Sequence, residues 1–202
     1  PEIEVPAAPK KSAIYFVDVP GAKQSVINIG HYSIPRSSAD YYPASVMNYK
    51  LGGSFNGIVN MILREEKGFT YGARSGFSGG KTYGTFVASS SVRSSATEES
   101  VQIFKDEIEK YRNGISSDDL EFTKNALIKS NARRFETIAT LHGMLSSISA
   151  YDLPFDYVKA EEESIKSMTL ESHKALAEKL IQPDKMFYVV VGDAATQMAA
   201  LE

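Results

Sequence analysis

The sequence predicts an α+β fold, a two-layer sandwich with a mostly antiparallel sheet and helices packed on one face. The order of the predicted elements is two strands, two helices, two strands and a run of helices. The last strand is a continuous apolar stretch, residues 186–192. Segregated strands and helices are typical of α+β domains, whereas strict alternation favours a parallel sheet. With 202 residues, 43% of them hydrophobic, the chain can bury a full core.

Local signals set the bounds of each element. β-Branched and aromatic runs bounded by turn pairs such as Pro20-Gly21 predict strands, and apolar residues at three- and four-residue steps after a capping residue such as Asp40 predict helices. Because the turn at Pro20-Gly21 is short, we expect the first two strands to form a hairpin or to be near neighbours. The apolar last strand is expected inside the sheet. The predicted strands are residues 13–19, 25–32, 71–77, 83–92 and 186–192, and the predicted helices are residues 41–51, 55–67, 98–112, 117–134, 137–150, 156–166 and 170–180.

The first residues differ in composition from the rest. Residues 1–11 are rich in proline, which is typical of an extended linker, and residues 12–202 show no internal repeat or second boundary. We therefore predict a linker over 1–11 and a single domain over 12–202. The linker favours a segment of a longer protein; a native start that has lost its methionine is the alternative.

Composition narrows the function classes. The net charge of −3 and the lack of a long basic run argue against a nucleic-acid partner. The absence of cysteine excludes disulfides and thiolate metal sites, although it leaves the compartment open. No apolar stretch approaches the length of a membrane helix, so we expect no transmembrane segment.

The most informative stretch runs from Leu63 to Gly72. It places Arg64 seven residues before Tyr71, with Gly68 between them. If Gly68 takes the positive φ that ends helices, the chain reverses there and both side chains can face one space. A guanidinium and a phenol together suit a carbonyl oxygen that gains negative charge. On physical grounds alone, ordinary helix capping is the favoured explanation of the same residues.

This stretch resembles the Arg-Glu-x-x-Gly-Leu-x-Tyr signature of the insulinase/pitrilysin family of zinc metallopeptidases, with Phe69 in place of Leu. The upstream pair Gly52-Gly53 belongs to the same pattern, but the residues after it depart from the family. The resemblance implies the LuxS/MPP-like metallohydrolase fold and a metal-free, C-terminal-type domain. It also implies that Arg64 and Tyr71 are catalytic residues that reach the substrate carbonyl and stabilise the transition state.

The zinc motif of that family, His-x-x-Glu-His, is missing. Only His31, His142 and His173 are present, and none has a second histidine four residues later. We therefore expect no metal and no cofactor in this chain, with zinc in a partner domain, and no hydrolysis by the chain alone. The hydroxyl run Ser89-Ser90-Ser91 lacks a nucleophile elbow and is interpreted as strand hydroxyls.

The leading hypothesis is a non-zinc-binding domain of an insulinase-type peptidase that contributes substrate binding and transition-state stabilisation. Its expected partners are a zinc-bearing peptidase domain, in the same chain or a separate subunit, and a peptide substrate. An exposed sheet edge beside the signature is expected to accept an extended peptide as an added strand. Two alternatives stay open: a structural subunit resembling respiratory-complex core proteins, and a free-standing peptide-binding module. Substrate identity and cleavage preference are left open.

Overall fold

Five strands form one sheet in the computed structural model, which describes Ala7 and residues 11–201. The sheet order is β1-β5-β2-β4-β3; β1 and β5 run parallel and every other neighbouring pair is antiparallel. The predicted mostly antiparallel α+β sheet is confirmed. The predicted linker, residues 1–11, lies outside the described residues apart from Ala7 and Lys11. The strands are β1 (Ala13–Asp18), β2 (Gln24–Ser33), β3 (Thr70–Gly79), β4 (Gly84–Arg93) and β5 (Phe187–Gly192).

The helices pack on one face of this sheet. Alternate residues of the central strands, among them Ile27, Ile29 and Phe86, are fully buried against helical residues such as Phe104, while the residues between them lie on the open face. The predicted two-layer arrangement is confirmed. The helices are α1 (Tyr41–Asn48), continued by a π-helical turn (Tyr49–Gly53), α2 (Ile58–Asn60), continued by a π-helical segment (Met61–Glu66), α3 (Thr97–Tyr111), α4 (Ser117–Asn131), α5 (Ile138–Tyr151), α6 (Tyr157–Ser167), α7 (Leu170–Leu180) and α8 (Ala194–Gln197).

The position of the last strand corrects one prediction. β1 and β2 are not neighbours, because β5 lies between them and pairs with both. Tyr15 of β1 and Asn28 of β2 both face Val189 of β5 in the register. The expectation of an interior last strand is confirmed, and its buried and half-exposed residues alternate as they do in the other central strands.

Helix α5 stands apart from the two layers. Thr137 caps it by accepting a hydrogen bond from the Thr140 backbone N–H, yet none of its residues is buried. Ile138 is 87% exposed and Leu145 is 61% exposed. The helix contains no Asp, Glu, Lys or Arg, and its exposed surface combines these apolar side chains with His142 and hydroxyl groups. None of the described helices combines the length and the hydropathy needed to cross a bilayer.

A buried carboxylate fixes the chain just before α5. Glu161 of α6 accepts from Arg134 at 2.7 Å and from Arg36 at 3.2 Å, and its side chain is almost fully buried. An ion pair that is shielded from water and doubly hydrogen-bonded holds its partners in a defined geometry. The start of α5 is therefore anchored to the body of the domain, although the helix itself is uncovered.

Candidate functional site

The helix that carries Arg64 ends at Gly68 as predicted. Gly68 has φ +63°, its N–H donates to the Arg64 carbonyl at 3.2 Å, and the Phe69 N–H donates to the Leu63 carbonyl at 2.9 Å. These two bonds satisfy carbonyls at the helix end while the chain reverses at the positive-φ glycine. Phe69 then enters the core, and β3 begins one residue later.

The preceding segment is π-helical. The Lys67 N–H donates to the Ile62 carbonyl, five residues back, at 2.9 Å. A π-helical turn holds one more residue than an α-helical turn and shifts the side chains around the axis, and such turns are frequent at functional sites. This geometry sets the direction in which Arg64 leaves the helix.

Gly52 explains why a glycine pair precedes this helix. A Cβ on Gly52 would lie 2.4 Å from the Ser75 backbone nitrogen and 2.6 Å from its Oγ, closer than real Cβ contacts allow. The absence of a side chain therefore lets the π-helical turn after α1 lie directly against the edge strand β3. Gly53 is less constrained, since its nearest contacts would be at 3.3 Å.

Asparagine side chains hydrogen-bond to the outer edge of β3. Asn60 accepts from the Ala73 N–H at 3.0 Å, and Asn48 donates to the Ser75 carbonyl at 2.9 Å. Asn48 also accepts from the Ser75 hydroxyl at 2.7 Å. Both asparagines are buried, so these bonds replace hydrogen bonds that a further strand would otherwise provide.

A tyrosine continues this protection toward the end of the strand. The Tyr41 hydroxyl donates to the Phe77 carbonyl at 3.3 Å and accepts from the Gly79 N–H at 3.2 Å. Four backbone groups on this edge, the N–H groups of Ala73 and Gly79 and the carbonyls of Ser75 and Phe77, are thus already bonded. Side chains of the helical layer therefore occupy part of this edge, which leaves fewer backbone groups for the added peptide strand that the sequence analysis expects.

A β-bulge interrupts β3 at Tyr71. Thr70 pairs with Val92 and Ala73 pairs with Ser90, so Tyr71 and Gly72 together face the single residue Ser91. A bulge of this kind leaves residues outside the ladder and re-aims a side chain. Tyr71 is 89% exposed, which makes it one of the most exposed large side chains of the described chain.

Beside Tyr71 lies a cleft of about 450 Å³ on the open face of the sheet, with a mixed polar and apolar lining. Three strands contribute to it, because β2, β4 and β3 are adjacent. Its walls carry amide, hydroxyl and guanidinium groups that can donate to or accept from a peptide backbone. These lining residues include Gln24, Asn28, Arg74, Ser89 and Ser91.

Arg64 is not among the residues that line this cleft. Its guanidinium lies 4.7 Å from the centre of the Phe55 ring, and its Nε is 3.2 Å from a Glu65 carboxylate oxygen. Its side chain is 39% exposed. In the described part of the chain, no hydrogen bond or cation–π contact joins Arg64 to Tyr71, so the expected shared space is not formed by direct contact.

His31 has a structural role in the core. Its Nε2 accepts from the Gln182 N–H at 3.2 Å, which places the ring proton on Nδ1, where it donates to the Tyr32 carbonyl at 2.7 Å. Burial lowers the pKa of His31 below its ordinary value. Both ring nitrogens are engaged, and the ring stacks on Phe86.

His173 lies in a second buried network. The Tyr111 hydroxyl donates to the Met47 carbonyl at 2.6 Å, and His173 Nε2 lies 3.1 Å from that hydroxyl and 3.2 Å from that carbonyl oxygen. Nε2 is therefore the protonated nitrogen, and burial lowers the pKa of His173. The third histidine, His142, is exposed on α5. Within residues 11–201, no group of three His, Asp or Glu side chains is arranged to hold a metal ion.

Comparison with known protein families shows which family this chain belongs to. The sequence model of the peptidase M16 inactive-domain family matches residues 1–127, more than half of the chain. This chain belongs to the peptidase M16 inactive-domain family. The resemblance to insulinase/pitrilysin peptidases that the signature indicated is therefore confirmed. No match was found among curated proteins.

Solved structures agree with this membership. The structure of a peptidase M16 inactive domain from Pseudomonas fluorescens is 30% identical to this chain in sequence and superposes with a TM-score of 0.88. The matched region covers 98% of this chain and 47% of the Pseudomonas fluorescens chain. A protease from Helicobacter pylori is 12% identical with a TM-score of 0.78, covering 90% of this chain and 44% of its own. A chain of complex III2 from Candida albicans is 10% identical with a TM-score of 0.73, and the match covers 89% of this chain and 45% of the Candida albicans chain. The M16 inactive domain described here thus spans about half the length of these chains, and the last two likenesses show the fold alone.

Sequence reasoning missed the residues that shape this site. Asn48 and Asn60 were not singled out, because an asparagine inside a helical segment gives no local sign that it will meet a strand edge. Ser90 was interpreted as a strand hydroxyl, which is its position, but its bonds to the bulge depend on the register of β3 and β4. Long-range register carries no local signal.

Proposed function

We propose that this M16 domain is the metal-free half of a zinc metallopeptidase and supplies substrate binding and transition-state support. One observation carries the proposal: Tyr71, at the signature tyrosine position, is held on a bulge with its phenol exposed beside the cleft. A large side chain in this position contributes little to the core of its own domain. Its exposure suits a contact with a bound molecule or a facing domain.

The chemistry of the cleft suits a peptide. Asn28 and Gln24 offer amide groups, and Ser89 and Ser91 offer hydroxyls, for hydrogen bonds to a peptide backbone. The phenol of Tyr71 can donate to the oxygen of the attacked carbonyl, where negative charge develops. Arg64 lies on the helix that leads into β3, and its guanidinium can add a second donor, a charged one, when substrate and partner are bound.

The described residues do not fit a zinc ion, since no cluster of suitable ligands is present among them. The metal is therefore assigned to a partner domain, where it would activate the attacking water. This chain's residues bind and orient the peptide and stabilise charge on its carbonyl oxygen. They take no part in generating the nucleophile.

Two uncovered apolar surfaces support the presence of a partner. Helix α5 has no buried residue and exposes Ile138 and Leu145 by more than 60%, and the open face of the sheet exposes Tyr15, Val17 and Val26 by 40% or more. Exposed apolar surfaces of this extent mark protein interaction sites. The relatives are about twice as long as this chain, which leaves room for a second domain to cover these surfaces.

The likeness to a chain of complex III2 keeps a structural-subunit role as the second candidate. At 10% identity it shows the fold alone. The exposed phenol beside the cleft favours the peptidase role, because a purely structural subunit has no need of a donor there.

The test uses the full-length protein, or the complex with its zinc-bearing partner, and measures peptide hydrolysis with zinc content. Tyr71→Phe and Arg64→Ala should each lower kcat/KM by roughly a hundredfold while zinc content stays unchanged. The matched controls are Tyr49→Phe, which removes the hydroxyl of a ring that packs on Phe122, and Arg112→Ala, which removes a guanidinium that pairs with Glu109. Wild-type turnover in both site variants would refute the proposal.

A further inference from the structure

The bulge at Tyr71 and Gly72 is held by two hydroxyl groups. The Thr70 hydroxyl accepts from the Gly72 N–H at 3.0 Å and donates to the Ser91 carbonyl at 2.6 Å. The Ser90 hydroxyl lies 2.9 Å from the Gly72 carbonyl oxygen, to which it donates, and 2.9 Å from Thr70 Oγ1. The polar backbone groups of Gly72 are thus bonded to side chains.

These bonds replace the ladder at the point where it is broken. Between Thr70 and Ala73, β3 advances three residues while β4 advances two, from Val92 to Ser90, so the normal backbone pairing cannot continue. Ser90 is itself 94% buried, and its hydroxyl is engaged with the bulge.

Tyr71 depends on this arrangement for its position. With 89% of its surface exposed, its ring receives little support from neighbouring side chains. The direction of its Cα–Cβ bond is set by the backbone, which the hydroxyls of Thr70 and Ser90 hold in the bulged form. These two hydroxyls are therefore in a position to control where the phenol lies relative to the cleft.

We infer that Thr70 and Ser90 are positioning residues that fix the bulge and thereby aim the Tyr71 phenol at the substrate carbonyl. This inference rests on the proposed function of Tyr71. A displaced donor weakens transition-state binding more than ground-state binding, so the loss falls on kcat rather than on KM. A displacement of about 1 Å can lower a rate by as much as a hundredfold.

The experiment measures kcat and KM for the full-length enzyme or complex carrying Ser90→Ala or Thr70→Val. Each variant should lower kcat by about 10- to 100-fold with KM changed less than about threefold. Thr70→Ser keeps the hydroxyl and should retain wild-type kcat within about twofold. Ser164→Ala is the matched control, because it removes a serine hydroxyl that donates to the Ala160 carbonyl on the exposed surface of α6.

A double-mutant cycle separates positioning from general loss of stability. In the Tyr71→Phe background, Ser90→Ala should lower kcat by less than about twofold, because the donor that it positions is already absent. Hydrogen exchange gives an independent readout: the Gly72 amide should lose protection in Thr70→Val and keep it in Thr70→Ser.

The outcomes distinguish this inference from the proposed function. Wild-type turnover in Tyr71→Phe overturns the role of Tyr71 and the positioning role with it. A slow Tyr71→Phe enzyme in which Ser90→Ala has its full, additive effect overturns the positioning role alone. Unchanged kcat in both Ser90→Ala and Thr70→Val does the same.

Discussion

Gly52 packs directly against the backbone of Ser75, at a distance that leaves no space for a Cβ atom. The contact joins the π-helical turn after α1 to the edge strand that carries Tyr71 and fixes how the helical layer lies on the end of the sheet. It gives the first glycine of the pair a packing role, separate from any conformational role, because Gly52 does not have a positive φ.

Gly52→Ala should therefore destabilise the domain by about 3 kcal/mol, since the new methyl must displace β3 backbone. Gly53→Ala is the matched control and should cost about 1 kcal/mol or less, because its nearest contacts would be at 3.3 Å. Urea denaturation of both variants measures the difference. Equal losses at the two positions would contradict the assignment of the close contact to Gly52.

The side chains that cover the edge of β3 lead to a second prediction. Asn60→Ala removes the acceptor of the Ala73 N–H and the donor to the Phe55 carbonyl, both inside the domain. It should cost about 1–3 kcal/mol and raise the tendency to associate through the uncovered edge. Denaturation and light scattering measure the two effects. The control Asn56→Ala, at an exposed position, should leave both unchanged.

The signature shows how far sequence could predict this site. The helix end at Gly68 follows from local capping rules and is confirmed, down to the positive φ. The bulge at Tyr71 could not be predicted, because an extra residue in β3 has meaning only against the register of β4. The stacking of Arg64 on Phe55 likewise depends on the chain between Gly53 and Ile58, where the sequence departs from the family pattern.

The fold shows the same division. Helices and strands followed from periodicity and capping, as in α7, where Thr169 and Ser172 form a reciprocal capping box. The order of the strands did not follow, because β5 pairs with β1 across most of the chain length. The prediction that β1 and β2 pair as a hairpin had a short connection as its only evidence. It was wrong because β5, which is distant in sequence, lies between the two strands and pairs with both.

Helix α5 leads to a third prediction, about the partner. Leu145→Glu places a charge on its exposed apolar face and should change the stability of the isolated chain by less than about 0.5 kcal/mol. In the full-length protein or complex it should weaken docking of the partner domain, because a buried unpaired charge costs several kcal/mol. Limited proteolysis or co-purification measures docking. Asn125→Glu on α4 adds the same charge at an exposed position and should leave docking unchanged; a similar loss there would contradict a specific role for α5.

The fourth prediction concerns pH and rests on the two buried histidines. Burial lowers the pKa of His31 and of His173 in the folded domain, and the charge of Lys185 lowers that of His31 further. In the unfolded chain both titrate near pH ~6.5. Above that pH both states are neutral at these rings, and the free energy of unfolding does not depend on them. As the pH falls below it, the unfolded state binds more protons than the folded state, so the free energy of unfolding decreases until the pH reaches the folded pKa values.

Urea denaturation between pH 7.5 and pH 5 should therefore show a flat region above about pH 7 and a decline below it. Carboxylates add little to this decline, because their unfolded pKa values lie near or below about 4.3. His31→Gln and His173→Gln should each be less stable at pH 7.5, because each loses buried hydrogen bonds, yet each should show a shallower decline than the wild type. A decline that keeps its full slope in the double variant would assign the pH dependence to groups other than these two rings.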